Sequence, residues 1–327
     1  MAGGAGRRSG PPRTGAGRLA ALAALATAGA AAPAAAQENG GARSALVLEL
    51  PSSARAVALG GAFAAVGGDD AALFHNPAQL ATLPRRAAAL SVQRHVASST
   101  LGALSGAARL GAGVVALGIQ TLSYGSAPEV VPDPTTGGER GMLTGGSVSA
   151  GELAVTAGYA RALGAVRAGL TGTVVHQRVA DAGGAAAALG AGAAWDPLPW
   201  ATLGAAVQHV GRGVRLAGTR APLPRTVRAG TALRALDRGA HGVLVVAELQ
   251  QVAKDAPRWA GGVEGWWRPR GDVRVAGRAG GVIGDEGAGD PIALGGSLAA
   301  RGLALDYAYR GFDALGATHR VAVRWAR

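Results

Sequence analysis

Apolar segments of about ten residues, separated by turn-forming residues, follow one another from residue 87 to residue 327. Several alternate between apolar and polar positions. In residues 241–250, Val243 and Val245 share one face while Glu248 and Gln250 occupy the other, and residues 303–310 and 319–325 show the same alternation. This period of two predicts β-strands. An alanine-rich helix is the alternative, but each interior glycine would cost it about 1 kcal/mol relative to alanine.

The pattern predicts fourteen strands, an even number as in bacterial single-chain membrane barrels. Their approximate ranges are 88–96, 99–109, 112–124, 147–161, 164–180, 185–195, 200–210, 224–236, 241–252, 257–267, 271–280, 291–300, 302–310 and 317–326. Beyond an N-terminal leader, no uncharged apolar run reaches the roughly 18 residues of a transmembrane helix. We therefore expect no membrane-spanning helix.

The connections between these strands alternate in length. The long ones, residues 125–146, 211–223 and 281–290, are all odd-numbered, and the even-numbered ones are short. A membrane barrel has this asymmetry, with long extracellular loops and short periplasmic turns, whereas a soluble β-sandwich has no reason for it. Most tryptophans fall near the short turns, as an interfacial girdle would place them; core packing in a soluble β-domain is the alternative. These are Trp195, Trp200, Trp266, Trp267 and Trp325.

Residues 1–36 have the three parts of a secretory signal peptide. An arginine-containing start precedes the apolar stretch 19–32, and small residues at 34–36 precede Gln37. A disordered low-complexity N-terminus is the alternative. The sequence contains no cysteine, which excludes disulfides, thiolate metal sites and a lipid-modified cysteine after the cleavage site.

Residues 52–83 are too irregular for one helix and too long for one strand. Gly60-Gly61 and a second glycine pair interrupt the stretch, because glycine adopts backbone angles that other residues avoid. Asp69-Asp70 precedes a short apolar run, as at a helix N-terminus. Asn76-Pro77-Ala78 repeats this signal, with asparagine as cap and proline at the first helical position. From these residues alone, the simplest interpretation is a capped turn between short helices.

The same stretch, SARAVALGGAFAAVGGDDAALFHNPAQLA, resembles the N-terminal signature of PorV/PorQ-type outer-membrane proteins, which are relatives of the FadL-like barrels. The chain departs from that signature at Ser53, Ala58, Leu59 and Gln79. Residues 303–327 resemble the last hairpin of the same family. The resemblance implies an all-β fold: a transmembrane antiparallel β-barrel of about 14 strands, with an N-terminal plug that carries short helices.

We therefore expect a signal peptide at 1–36, a plug segment at 37–86 and a transmembrane β-barrel at 87–327. With the apolar strand faces outward, a set of charged residues faces the lumen, as a paired structural network or as a selectivity filter. These residues are Glu248, Glu264, Arg274, Arg278, Asp306, Arg310, Arg320 and Arg324.

Motifs for catalysis or cofactor binding are missing from the sequence. The six histidines have no metal-ligand spacing, and there is no phosphate-binding glycine loop or nucleophile elbow. The formal charge of +12 includes leader arginines, and the others are scattered rather than clustered for nucleic acid. We expect neither an enzyme nor a nucleic-acid-binding protein, and no metal or cofactor.

Two functions remain open. By resemblance to PorV and PorQ, the protein would belong to a type IX-like secretion route in the outer membrane of a Gram-negative bacterium and would dock exported cargo. Its extracellular contact would include Pro128, Pro132, Asp133 and Pro134. By resemblance to FadL, it would be a gated channel for hydrophobic small molecules, with the plug as gate. The charged lumen and the three phenylalanines favour the first. Lipid is the expected surrounding in both cases.

Overall fold

The computed structural model describes residues 43–95, 98–269, 271–284, 292–312 and 316–327. The proposed signal peptide lies outside these residues. Within them, four short helices precede a long succession of strands, and a fifth lies between the third and fourth strands. The helices are a 3-10 helix Leu46–Leu48, the α-helix α1 Ala54–Ala58, and 3-10 helices Asp70–Phe74, Pro77–Thr82 and Pro134–Thr136. No helix among the described residues is long and apolar enough to cross a membrane.

Fourteen antiparallel strands close into one barrel, as the alternating pattern predicts. They are β1 (Arg86–Arg94), β2 (Thr100–Leu110), β3 (Gly113–Pro132), β4 (Gly141–Leu163), β5 (Val166–Val179), β6 (Ala182–Leu198), β7 (Ala201–Gly211), β10 (Thr226–Asp237), β11 (His241–Val252), β12 (Arg258–Trp267), β13 (Arg274–Ile283), β14 (Ile292–Ala300), β15 (Leu303–Gly311) and β16 (Ala317–Ala326). A small separate hairpin, β8 (Val214–Leu216) and β9 (Thr219–Ala221), lies in the connection before β10.

Each barrel strand pairs with its sequence neighbour, except that β7 pairs with β10 across the small hairpin. The first and last strands close the ring, with Val92 opposite Val321 and Leu90 opposite Val323. Closure leaves no unpaired strand edge, which is the condition for a sheet to cross a bilayer.

The barrel is apolar outside and polar inside. Large apolar side chains are exposed around its outer surface, for example Leu90, Leu117 and Leu170. Buried polar and charged side chains point inward from the same strands, among them Glu248 and Arg320. This arrangement is the reverse of that in a water-soluble protein and is typical of barrels that sit in lipid. A charge on the outer surface near the bilayer centre would cost several kcal/mol.

The predicted tryptophan girdle is only partly correct. Trp195, Trp267 and Trp325 are exposed on the outer surface at the end of the barrel that carries the short turns. Trp266 instead packs inside, against the buried cluster that contains Phe63. Adjacent residues of a strand face opposite sides, so Trp266 and Trp267 cannot both face lipid.

The prediction of a connection between strands from 125 to 146 is wrong for most of its length. β3 continues to Pro132 and β4 begins at Gly141, so Pro128 and Pro132 lie in paired strands. The ladder accommodates the prolines by register irregularities between Ser123 and Ser126 and between Pro128 and Val130. Only the tip is irregular, and it contains Asp133 and Pro134.

Candidate functional site

The lumen of the barrel contains residues 43–83, which we call the inner segment. Its side chains are among the most deeply buried of the described residues, including Leu59, Phe63, Leu73 and Leu80. α1 contacts β13 to β16, and the helix Pro77–Thr82 contacts β3 to β6. The inner segment therefore touches the wall on several sides rather than lying along one strand.

Side-chain caps begin three of the short helices of the inner segment. Ser53 Oγ accepts from the Ala56 amide at 3.0 Å, Asp69 Oδ1 from Ala71 at 3.1 Å, and Asn76 Oδ1 from Ala78 at 3.1 Å. Each side-chain oxygen satisfies an amide that a helix start leaves without an internal partner. Pro77 occupies the first helical position.

Asn76 also joins the inner segment to the wall. Its Nδ2 donates to the carbonyl of Ala64 at 2.7 Å and to that of Ala193, on β6, at 3.0 Å. The wall residue opposite is Gly192, where a Cβ would lie 2.0 Å from Asn76 Oδ1. A side chain at position 192 would therefore displace this asparagine.

Gly60 and Gly61 form the sharp turn after α1. Both have positive φ, +69° and +88°. A Cβ on Gly60 would lie 2.4 Å from the carbonyl oxygen of Gly281 on β13. Glycine is required at position 60 both by its backbone angle and by this close approach.

Five of the eight charged residues predicted to face the lumen belong to one cluster of ion pairs. They are Glu264, Arg274, Arg278, Asp306 and Arg324. Glu264 accepts from Arg278 Nε at 2.6 Å and from Arg274 Nη2 at 3.0 Å, and Arg278 Nη1 reaches Asp306 at 3.0 Å. Arg324 then binds the other oxygen of Asp306 through Nε at 2.6 Å.

The inner segment completes this cluster with Arg55 and Asp69, which the sequence patterns did not identify as its members. Arg55 binds Glu264 with two nitrogens, at 2.8 and 3.0 Å, and lies 3.6 Å from Asp69. Asp69 also lies 3.4 Å from Arg324. α1 and the turn before Asp70 are therefore joined to β12, β13, β15 and β16 by buried ion pairs.

The other three predicted lumen residues have different partners. Glu248 accepts from the amides of Phe63 and Ala64, both at 2.7 Å, and from Arg228 at 2.8 Å. Arg320 donates to Gln93, to Ser91 and to the carbonyl of Ser52. Arg310 lies over the ring of Phe312, 5.0 Å from its centroid.

Arg228 and Glu152 are further lumen residues that the sequence analysis missed. Glu152, on β4, accepts from the Val47 amide at 2.7 Å and from the Tyr124 hydroxyl at 2.9 Å. Arg228 lies two residues from Thr226 and from Gly230 on an alternating strand, so the period of two could have placed it inside.

Asp70 lies deep in the inner segment and bonds to Ser105 on β2. Burial and the neighbouring Asp69 carboxylate raise the pKa of Asp70 to about 6. The hydrogen bond from Ser105 lowers this pKa and offsets only part of the rise. Burial among arginines lowers the pKa of His75, so this ring is neutral at neutral pH. No group of three or more potential metal-binding side chains occurs among the described residues.

Two cavities lie on opposite sides of the inner segment. The outer cavity, about 200 Å³, opens at the long-loop end, and its lining is mixed. Leu50, Val57, Val282 and Phe312 contribute apolar surface, and the polar and charged residues are Glu49, His75, Gln93, His95, Arg228, Gln250, Arg258, Arg310 and Thr318. The inner cavity, about 320 Å³, lies at the short-turn end near Trp266 and Arg268.

Several solved structures share this architecture. The Ralstonia pickettii toluene transporter TbuX superposes with a TM-score of 0.58 at 14% identity, covering 85% of this chain and 99% of that one. The P. putida toluene transporter TodX gives 0.54 at 14% identity, over 84% and 96%. A Pseudomonas aeruginosa FadL homologue gives 0.53 at 10% identity, over 84% and 98%.

These similarities establish the fold as that of FadL-like outer-membrane β-barrels. No protein-family model and no curated protein sequence matches the chain. The closer resemblance to PorV and PorQ stays a prediction from the sequence.

Proposed function

We propose that this protein is an outer-membrane channel for the uptake of hydrophobic small molecules, exported by its N-terminal signal peptide and gated by the inner segment. The observation that carries the proposal is the division of a FadL-like lumen into two cavities by a folded segment. At the end that faces the extracellular medium in such barrels, the outer cavity presents apolar side chains, among them Val57, Val282 and Phe312, beside charged and polar ones. Transporters and a FadL homologue share the fold, and this supports transport rather than catalysis.

The outer cavity is small enough that one large side chain would fill much of it. Val282 lines it from β13 and is 8% exposed, whereas Val263 on β12 points outward and is 44% exposed. We expect Val282→Trp to lower the uptake of radiolabelled toluene several-fold in cells that lack their own channel of this kind. Val263→Trp, the matched control on the outer surface, should leave uptake unchanged.

The proposal would be contradicted if cells with the unaltered protein took up no more toluene than cells with an empty vector. It would also be contradicted if the Val282→Trp variant took up as much toluene as the unaltered protein. Heat-modifiable migration on a gel would show that both variants are folded barrels.

Cargo docking in a type IX-like secretion route is the second candidate, and the β3–β4 hairpin favours it. These strands have 20 and 23 residues, about twice the 9–11 that cross a bilayer. The hairpin therefore extends well beyond the barrel rim, and it exposes the cross-strand pair Val130 and Leu143 at 60% and 67%. An exposed apolar surface of this kind suits a protein partner.

Replacing residues 128–140 by a two-residue turn tests this second function. Docking predicts that exported proteins disappear from the surface of cells with the shortened hairpin, while toluene uptake persists. An unchanged set of surface proteins would contradict docking and leave the channel proposal standing.

A further inference from the structure

The inner cavity is lined by an unusual number of arginines. Five of them contribute to its walls: Arg55, Arg167, Arg234, Arg268 and Arg274. The acidic residues among the described lining are Asp196 and Glu264. The cavity therefore carries a formal excess of positive charge.

Both lining carboxylates are already bound by arginines. Asp196 binds Arg167, with Nη2 to Oδ1 at 2.7 Å. Glu264 accepts from Arg55 and Arg274, and also from Arg278, which is not a lining residue. One carboxylate thus serves three guanidinium groups.

Arg234 and Arg268 bond only to backbone in the interactions that the described residues show. Arg234 Nη1 donates to the carbonyl of Pro199 at 2.8 Å, and Arg268 Nη1 to that of Gly239 at 3.0 Å. A guanidinium group has five N–H donors, so each keeps several donors free of protein partners in these bonds. Both side chains are exposed, and Arg234 lies within electrostatic reach of Asp196.

A buried side chain without hydrogen-bond partners also lines the cavity. Gln79 is 1% exposed, and neither its Oε1 nor its Nε2 has a partner among the described residues. The Nε atoms of Arg167 and Arg274 are likewise buried without a partner. Buried polar groups normally have partners, because an unmade bond costs about 1–3 kcal/mol.

We propose that the inner cavity is a binding site for an oxyanion, either a phosphate or a carboxylate, that reaches it from the short-turn end. Guanidinium groups bind planar and tetrahedral oxyanions through paired N–H donors, and a partly enclosed basic cavity concentrates anions. The amide Nε2 of Gln79 supplies a neutral donor. With about 320 Å³, the cavity holds an inorganic phosphate, a small organic acid or a lipid headgroup without its chains. The site does not depend on the transport function proposed above.

Calorimetric titration of the full-length protein in a neutral detergent tests this proposal. The probes are inorganic phosphate, acetate and lysophosphatidylglycerol, each at constant ionic strength with chloride as the balancing anion. We expect saturable binding of at least one probe to the unaltered protein. Phosphate or acetate binding indicates a free anion, and binding of lysophosphatidylglycerol alone indicates a lipid headgroup.

The double variant Arg234→Gln/Arg268→Gln should weaken that binding at least tenfold. Arg178→Gln/Arg212→Gln is the matched control. Both arginines are exposed, as Arg234 and Arg268 are, and Arg178 also donates to a backbone carbonyl, but both lie at the long-loop end, away from the inner cavity. This control should bind within twofold of the unaltered protein. The absence of saturable binding for all three probes would overturn the proposal, as would an equal loss in the control variant. Gel migration before and after boiling checks that each variant is folded.

Discussion

At the scale of single residues, Asn76 combines a helix cap with a link to the wall. It is fully buried, and its oxygen and nitrogen make three bonds to backbone groups. The Asn-Pro pair makes the cap predictable from local rules, because both residues favour a helix start. The bond to Ala193, 117 positions away, depends on how the barrel closes and has no local signal.

We expect Asn76→Ala to weaken the attachment of the inner segment by about 2–4 kcal/mol, from a lost cap and two carbonyls left unpaired. Arg55 would then become accessible to trypsin, so the rate of cleavage there reports the change. Asn76→Asp keeps the capping oxygen but places a carboxylate oxygen against the carbonyls of Ala64 and Ala193, so at neutral pH its cleavage should be at least as fast as that of Asn76→Ala. Asp133→Ala removes the similar cap at the exposed hairpin tip and should leave cleavage at Arg55 unchanged. Equal rates for all variants would contradict this role.

Asp70 should make stability depend on pH. A carboxyl group with a pKa of about 6 when folded, above its value near 4 when unfolded, binds its proton more tightly in the folded state. The contribution of Asp70 to the free energy of unfolding is therefore most favourable below about pH 4, and it is lost as the pH rises through about 6.

The midpoint of guanidinium-induced unfolding in detergent should thus fall between pH 4 and pH 7, relative to the Asp70→Asn variant. Asp133→Asn alters an exposed carboxylate whose pKa is lowered by bonds from Thr135, and it should retain the slope of the unaltered protein. Parallel curves for the unaltered protein and Asp70→Asn would show that Asp70 does not titrate in this range.

At the scale of elements, α1 is held to the wall by the ion pair of Arg55 and by the packing of Ala54, Val57 and Ala58 against Ala308 and Ala322. The guanidinium group of Arg55 and the Glu264 carboxylate are 209 residues apart and nearly inaccessible to solvent. Removing one partner of a buried pair typically costs about 3–5 kcal/mol when the other charge is left alone. The loss of Arg55 should cost less than this, because Glu264 keeps Arg274 and Arg278 as partners and Asp69 keeps Arg324. The alternation of β12 predicts that Glu264 faces inward, but the period of a strand cannot say which residue of another segment meets it.

Arg55→Met should therefore loosen the inner segment and raise the ionic conductance of the barrel in planar lipid bilayers. Arg43→Met is the matched control, because Arg43 pairs with Glu49 and Asp255 in a partly exposed position, where ion pairs contribute about 1 kcal/mol or less. Its conductance should equal that of the unaltered protein. If both variants conduct alike, α1 is not held by its buried ion pair.

The element bounds show where local rules succeed and where they stop. The even-numbered turns and the strand alternation were predictable, because a strand with one apolar face repeats every two residues and turns concentrate glycine, proline and aspartate. The prolines at 128 and 132 look like loop residues, yet they lie in β3 because register irregularities accommodate them. Whether a proline interrupts a strand depends on its position in the ladder, which only the partner strand defines.

At the scale of the whole molecule, a closed barrel with apolar exterior and charged lumen surrounds a folded inner segment. Closure and the outward apolar faces follow from the number and alternation of strands, so the architecture was accessible from sequence. The two cavities could not be predicted from the sequence, because each depends on side chains that come together from the inner segment and from many strands. In the channel that we propose, the inner segment must move for a solute to pass.

A reversible crosslink between the inner segment and the wall tests that claim most directly. The chain has no cysteine, and the side chains of Asp70 and Ser105 are in contact, so Asp70→Cys/Ser105→Cys places a single disulfide between the segment and β2. We predict that oxidised cells take up radiolabelled toluene at the background rate, that a reducing agent restores uptake, and that neither single-cysteine variant responds to the redox state. Full toluene uptake with the disulfide formed would contradict the account.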